Sequence, residues 1–227
     1  MPGKPLPEWD RVLSAAARLQ GILPGAVLVG ETAAAVHEGH RLSVDADHVV
    51  ADLRDRFDDV LAQLESVAGW KTARVRRPVL VLGSLDGIET GIRQLIRAAP
   101  LETETLPTPD GGTVVVPTRA EMLRIKAILI LKRNATRDYL DFAALARSLG
   151  DGGTAAALAP LDALYPQPHG ASPFQQLLVQ LASPMPFDLD GTDLDEYKRL
   201  VPEWRDWEKV RAFCGNLATG LLRNGNR

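Results

Sequence analysis

The sequence has little of several residue types that mark common classes of protein. Among 227 residues there is one cysteine, Cys214, so the chain forms no internal disulfide and no cysteine-based zinc site. The four histidines show no spacing typical of metal ligands. No run of 18 apolar residues is present, which argues against a membrane-spanning helix. These absences direct attention to the acidic and basic residues as the carriers of any chemistry.

The overall charge is also small. The formal net charge is -3 and the isoelectric point is near 5.8, so the chain has no strong global basic field. Any nucleic-acid binding must therefore come from a local basic patch. The first residues, Met-Pro-Gly-Lys-Pro-Leu-Pro, contain no apolar segment of the kind that a secretory signal requires. We expect a cytoplasmic protein without a membrane partner.

What the sequence does contain is enough apolar material for a core, since apolar residues make up 45% of it. Apolar periodicity changes near residue 117, from short strands mixed with helices to a purely helical pattern. We therefore expect an α+β protein, with an α/β domain at residues 1–117 and a helical domain at 118–227. The predicted helices are 7–22, 32–39, 53–68, 118–133, 138–149, 154–165, 172–182 and 203–222. The predicted strands are 26–29, 43–50, 74–77, 79–82, 88–96, 101–105 and 113–116.

The most informative stretch is Ser43 to Val50, because it places two carboxylates two residues apart in an apolar run. In a strand, Asp45 and Asp47 would project from one face, while Val44, Ala46 and His48 would point to the other. Two neighbouring like charges repel each other, and a divalent cation relieves that repulsion. Mg²⁺ favours one or two carboxylates together with water and phosphate oxygens. The alternative is a pair of solvated aspartates at the end of a strand.

The residues before this stretch give a strand, a glycine turn at Gly30, a short small-residue helix, and then the acidic strand. This order resembles the nucleotidyltransferase superfamily. More narrowly, GETAAAVHEGHRLSVDAD resembles the opening of the AbiEii/AbiGii toxin family. The resemblance implies a toxin of a toxin–antitoxin pair that transfers a nucleotide from a nucleoside triphosphate to an acceptor such as the tRNA 3′ end. It also implies that Asp45 and Asp47 hold Mg²⁺, that Gly30 and Ser43 position phosphates, and that an antitoxin protein is the partner.

The resemblance further implies a third carboxylate from a neighbouring strand, and Glu89 is the candidate. Residues 88–96 alternate, with Ile88, Thr90 and Ile92 on one face and Glu89, Gly91 and Arg93 on the other. Gly91 would leave room beside Glu89. The alternative is a solvent-facing glutamate on a sheet with one buried side.

Lys126 interrupts the apolar helix from Met122 to Leu131, so its ammonium needs either an anion or a path to solvent. A nucleoside triphosphate would supply such an anion. The segment after it, with Asp138 and Asp141, resembles the family signature K…RDxxDL. The resemblance places Lys126 and one of these aspartates in the active site, with Asp138 preferred for catalysis and Asp141 for nucleotide binding. Asp138 could also serve only to cap a helix.

Two basic clusters are candidate contacts for the phosphates of a nucleic-acid acceptor, or else ordinary solvated surface. Their members are Arg74, Arg76, Arg77, Lys132, Arg133 and Arg137.

One residue departs from the family pattern. Glu31 stands where Gly or Ser usually follows the first glycine, which adds negative charge near a phosphate site. Two alternatives to the toxin therefore remain. One is a non-catalytic nucleotide- or protein-binding module, and the other is an enzyme that modifies a small molecule or a protein hydroxyl.

Overall fold

The computed structural model describes residues 8–225, so Pro7, where the first predicted helix begins, lies outside the described residues. The helices are α1 Glu8–Ile22, α2 Gly30–Glu38, α3 Phe57–Glu65, α4 Arg119–Arg133, α5 Thr136–Leu158, α6 Leu161–Leu164, α7 Pro173–Ala182 and α8 Trp207–Gly225. The strands are β1 Val27–Leu28, β2 Ala46–Val50, β3 Trp70–Arg76, β4 Leu80–Leu85, β5 Ile88–Gln94, β6 Thr103–Pro107 and β7 Thr113–Pro117.

Five strands form a mixed sheet in the order β1-β2-β5-β4-β3, and β6 pairs with β7 in a separate hairpin. Within the sheet, β2 runs parallel to β5, whereas β1–β2, β4–β5 and β3–β4 are antiparallel pairs. Helices alone follow β7 in the described chain. The predicted α+β class with a helical C-terminal half is confirmed.

The described chain divides into two compact units. The first comprises residues up to Ala33 together with Ser43–Thr118, and the second comprises Ala34–Leu42 together with Arg119 onward. The division after Thr118 lies one residue from the predicted boundary. The difference is the segment Ala34–Leu42, which contacts the helical unit although it lies early in the sequence.

The core of the first unit lies on one face of the sheet. Strand residues that alternate along the chain, among them Val50, Val81 and Ile92, are buried together with Leu19 of α1 and Val60 of α3. This burial explains why apolar residues recur every second position in the strands and at helical spacing in α1 and α3. The opposite face of the sheet is left to carry polar groups.

The second unit is built from packed helices, with α4 against α5 and α7, and α8 against α5 and α7. Cys214 of α8 is fully buried there, and burial raises the pKa of its thiol to about 12. Gly150 has a positive φ of 67° and interrupts the helical geometry of α5, at the glycine-rich stretch where a helix end was predicted. None of the described helices is both long enough and apolar enough to span a bilayer.

Some element ends differ from the prediction. Helix α3 begins at Phe57 because residues 51–56 form turns, and α8 begins at Trp207 because a 3₁₀ turn occupies residues 202–204. Strand β2 begins at Ala46, so Asp45 precedes it, and Val44 is exposed instead of facing the core.

His48 of β2 lies on the buried face, fully enclosed, with its Nδ1 3.0 Å from the carbonyl oxygen of Ala46. Burial lowers the pKa of His48 from 6.5 to about 4, although hydrogen bonds to the Ala46 and Ala16 backbones oppose this shift. The imidazole is therefore neutral in the folded protein over the physiological range.

We expect this histidine to make stability depend on pH. Between pH 6.5 and pH 4 the unfolded chain binds a proton at His48 and the folded chain does not, so stability falls as the pH falls. The loss approaches about 3 kcal/mol. In His48→Leu, urea unfolding at a series of pH values should lack this part of the decline. His169→Asn, which changes an exposed histidine, should retain it. An unchanged pH dependence in His48→Leu would contradict the assignment.

Candidate active site

The carboxylate of Asp47 lies at the junction of two parallel strands. Asp47 of β2 is the register partner of Gly91 of β5, and the two side-chain positions share the face opposite the core. A Cβ placed on Gly91 would lie only 2.1 Å from Asp47 Oδ1. Gly91 therefore makes the room that Asp47 occupies. The sequence analysis expected Gly91 to leave room beside Glu89. In the structure, the carboxylate that occupies the room at Gly91 is that of Asp47.

A second glycine approaches Asp47 from the first turn of α2. Gly30 has a φ of +77°, and a Cβ there would lie 3.4 Å from the Asp47 Cβ and 3.7 Å from Oδ2. The Val29 N–H donates to the Asp47 carbonyl oxygen at 2.8 Å, and the Thr32 hydroxyl donates to the Asp45 carbonyl oxygen at 2.5 Å. These bonds hold the beginning of α2 against the acidic stretch, as the predicted strand–turn–helix order requires.

Asp45 is oriented by a neighbour of its own. The Ser43 hydroxyl donates to Asp45 Oδ1, and Ser43 is buried while Asp45 is partly exposed. In this structure the Ser43 hydroxyl therefore binds the carboxylate of Asp45. A direct role in positioning phosphates stays a prediction.

Sequence analysis missed Arg93 as a site residue. Its Nε lies 3.8 Å from Asp47 Oδ1, with the Arg93 side chain 48% exposed and the Asp47 side chain 30% exposed. The signal was available, because Arg93 follows Gly91 by two residues and so shares its face. A positive charge beside Asp47 offsets part of the repulsion that the sequence assigned to a metal ion.

Glu89 lies on the same face of β5 as Gly91, two residues away, and is exposed. Within the described residues, no three His, Cys, Asp or Glu side chains are gathered as a metal-binding group. Asp45 and Asp47 flank the first residue of β2, two positions apart in the chain, and no third carboxylate of the described residues is gathered with them. Asp45, Asp47 and the space at Gly30 still fit Mg²⁺ chemistry, since Mg²⁺ is commonly held by one or two carboxylates and completed by water and substrate phosphates.

A second set of predicted residues meets inside the helical unit. Lys126 of α4 is fully buried, and its Nζ lies 2.6 Å from Asp141 Oδ2 and 3.7 Å from Asp138 Oδ1, both on α5. The expectation that this ammonium requires an anion is confirmed, and the alternative in which it reaches solvent is wrong. The anions found are protein carboxylates, and a role toward nucleotide phosphate stays a prediction.

Asp141 is also bound from the segment that precedes the acidic stretch. Its Oδ1 accepts from Arg41 Nε at 2.8 Å, its Oδ2 accepts from Arg41 Nη2 at 2.8 Å, and His40 Nε2 lies 2.7 Å from Oδ1. Burial by itself would raise the pKa of Asp141, but Arg41, Lys126 and His40 together hold it well below its usual range. Asp141 is therefore a permanent anion at the centre of the cluster.

Asp138 is held by Arg133, whose Nε and Nη2 donate to its two carboxylate oxygens at 2.5 and 2.6 Å. Asp138 lies in the first turn of α5, but the N-cap position belongs to Ala135. We refer to His40, Arg41, Lys126, Arg133, Asp138 and Asp141 as the buried ionic cluster. Apart from His40, the cluster contains three cations, Arg41, Lys126 and Arg133, and two carboxylates.

The remaining predicted contacts are the basic residues of the two clusters. Arg74, Arg76, Lys132 and Arg137 are exposed. Arg77 is paired with Asp58 of α3 at 2.9 Å, and Arg133 is committed to Asp138. His40 and Arg41 were missed as site residues, although both belong to the GHR triplet of the family-like opening.

Comparison with solved structures identifies the fold. A candidate nucleotidyltransferase from H. pylori superimposes with a TM-score of 0.56 at 15% sequence identity, covering 95% of this chain and 94% of that protein. The expected nucleotidyltransferase-like fold is thereby confirmed over nearly the whole chain. No family model matches the sequence.

Among the curated proteins that share a segment with this chain are two MmpL11 proteins. The heme uptake protein MmpL11 of Mycobacterium tuberculosis is 35% identical over 128 residues, which cover 56% of this chain and 13% of that protein. The mycolic acid-containing lipids exporter MmpL11 of Mycolicibacterium smegmatis is 35% identical over 133 residues, with the same coverage of both chains. The chain thus spans 13% of the length of the curated relatives it matches.

The buried ionic cluster predicts a large stability effect at Asp141. Asp141→Asn removes the anion that Lys126 and Arg41 share, and an unpaired buried charge costs about 3–5 kcal/mol. Urea unfolding at pH 7.5 should show that loss in the free energy of unfolding. Asp151→Asn, an exposed change on the same helix, should cost less than about 0.5 kcal/mol.

The double variant Asp141→Asn/Lys126→Met should recover part of the stability, because it removes a cation that the single variant leaves unpaired. A loss in Asp141→Asn no larger than in Asp151→Asn would contradict the electrostatic role of the cluster.

Proposed function

We propose that this protein is a metal-dependent nucleotidyltransferase that transfers a nucleotide from a nucleoside triphosphate to an acceptor hydroxyl. The observation that carries the proposal is the position of Asp47. Its carboxylate lies over Gly91 and beside Gly30 at the first turn of α2. A carboxylate pair next to a helix N-terminus brings together a cation site and a phosphate site.

In this proposal Asp45 and Asp47 hold Mg²⁺, with Glu89 as a more distant candidate for a third carboxylate. Bound there, Mg²⁺ would neutralise the triphosphate and favour ionisation of the acceptor hydroxyl. Ser43 fixes the orientation of Asp45 through its hydrogen bond. Gly30 exposes backbone at the start of α2, where the helix dipole favours an anion. Glu31 occupies the same turn, so its charge must be offset by the cation for a triphosphate to bind.

The finer assignment follows the family resemblance. We propose a cytoplasmic toxin of a toxin–antitoxin pair, with the tRNA 3′ end as its acceptor and an antitoxin protein as its partner. Lys126, Asp138 and Asp141 belong to the family signature. Their mutual ion pairs support a role in which they fix the segment carrying His40 and Arg41 to α4 and α5. Direct contact of Lys126 with phosphate remains part of the proposal.

A second candidate is a catalytically impaired module of the same fold that binds a nucleotide or a protein. Arg93 beside Asp47 and Glu31 in the first turn of α2 favour it, because the first supplies positive charge without a metal and the second opposes a triphosphate. Calorimetry with a nucleoside triphosphate and Mg²⁺ separates the two candidates. Binding without turnover selects the module.

The catalytic proposal predicts that nucleotide transfer depends on the carboxylate pair. With Mg²⁺, labelled nucleoside triphosphates and total RNA, the wild type should transfer label, and Asp47→Asn or Asp45→Ala should reduce the rate about 100-fold or more. The reason is the loss of several kcal/mol of charge stabilisation. Asp59→Asn removes an exposed carboxylate of α3 and should retain the wild-type rate.

Equal transfer by wild type and Asp45→Ala, or no transfer by wild type, would end the catalytic proposal. Label on a protein or a metabolite instead of RNA would retain the enzyme and replace its acceptor.

A further inference from the structure

The sheet face that carries Asp47 also carries a set of basic side chains. Val75 and Val81 pack into the core, so the residues that alternate with them point to the other face. On β3 these are Arg74 and Arg76, and on β5 the corresponding residue is Arg93. All three arginines are exposed.

A β-bulge adds a fourth member. The register of β3 with β4 shifts between Thr72 and Arg74. Lys71 is the partner of Ser84 and Arg74 is the partner of Leu82, so both lie on the same face although they are three residues apart. Lys71 is exposed. We call Lys71, Arg74, Arg76 and Arg93 the basic face.

The ladder registers order the basic face relative to the carboxylates. One row across the strands runs Asp47, Gly91, Leu82, Arg74, and the next runs Val49, Arg93, Leu80, Arg76. At about 4.8 Å between strands, Arg74 lies about 14 Å from Asp47 at the backbone, and Arg93 lies between them. Three basic residues on β3 and one on β5 thus extend from the candidate active centre to the sheet edge, and the exposed Glu89 is the acidic residue in the row of Lys71 and Ser84.

Arg77 does not belong to this surface. Its guanidinium pairs with Asp58 of α3 at 2.9 Å and lies over the Phe57 ring at 5.3 Å, which places it on the core side of the sheet. A basic residue therefore belongs to the basic face because of the side of the sheet on which it lies, and not because it is close to other arginines in the sequence.

We propose that the basic face binds an RNA strand whose 3′ end is presented to Asp45 and Asp47. Four exposed cations lie on β3 and β5, two strand spacings apart, and their spread across and along the sheet fits a chain of successive phosphates. They extend too far for one triphosphate, whereas a nucleic-acid strand carries phosphates at regular intervals along its whole length. Because the net charge of the chain is -3, RNA binding requires a local basic patch, and the basic face is such a patch. The inference deepens the proposed function by assigning its acceptor to one surface.

The test measures binding and not transfer, so that it is independent of turnover. Asp47→Asn protein is titrated into fluorescent total tRNA, with anisotropy measured over a series of salt concentrations. In this background, Lys71→Gln/Arg74→Gln/Arg76→Gln should weaken binding by about 10-fold or more and reduce the slope of log K against log salt by about 2. Arg93→Gln should reduce the slope by about 0.7.

The matched control is Arg211→Gln/Arg223→Gln, which removes exposed arginines from α8 and should change neither affinity nor slope beyond the small effect of net charge. Circular dichroism and urea unfolding confirm that each variant is folded. Charged edge strands also prevent sheet-to-sheet association, so each variant is examined for self-association by sedimentation.

Three results overturn the inference: equal RNA affinity in the triple variant and its control, no RNA binding by Asp47→Asn protein, or a triple variant that self-associates with unchanged RNA affinity. Loss of RNA affinity in the triple variant, with no label transfer by the wild type, would retain the RNA surface while ending the catalytic proposal. The two failures are therefore distinguishable.

Discussion

The parallel pairing of β2 with β5 is the constraint on which the candidate site depends. It sets Asp47 opposite Gly91, and only a residue without a Cβ leaves room for the carboxylate at that point. The same pairing places Arg93 two residues further along the same face, within 3.8 Å of Asp47. A slip of one residue would turn Asp47 into the core and His48 toward solvent, and burial of the apolar face forbids it.

The buried ionic cluster solves a different problem. The segment Ala34–Leu42 lies early in the sequence but belongs to the helical unit, so it must be held there by specific contacts. Arg41 makes a bidentate pair with Asp141, and Lys126 satisfies the same carboxylate from α4. Such a pair contributes little net stability compared with an apolar core but enforces one arrangement, because every alternative leaves a buried charge unpaired. The family-like GHR and K…RDxxD motifs therefore meet as one electrostatic unit.

Sequence reasoning reached the fold class, and the face of β5 that carries Gly91, because both follow from local periodicity. The alternation of β5 and the small-residue helix after Gly30 are visible within ten residues. His40 and Arg41 could not be connected with Asp141 in this way, since 100 residues separate them and no local pattern records the contact. Lys71 was missed because the predicted strand begins at Arg74, whereas β3 begins at Trp70. A bulge changes which residues share a face, and strict alternation would have separated Lys71 from Arg74.

The ion pair between Arg93 and Asp47 bears on the choice between the two candidate functions, because only the enzyme requires a metal ion at Asp47. Both side chains are partly exposed and their charged atoms are 3.8 Å apart, so the pair is worth about 0–1 kcal/mol in water. A divalent cation carries twice the charge of the guanidinium and coordinates carboxylate oxygen directly, so the ion pair is no barrier to metal binding. In the proposed enzyme, Mg²⁺ held by Asp47 would neutralise that carboxylate, and the Arg93 guanidinium would then be available to a phosphate. Arg93, whose positive charge lies where a metal ion would, is therefore compatible with a catalytic site. The distinction between enzyme and binding module then depends on Glu31, which lies with Gly30 in the first turn of α2.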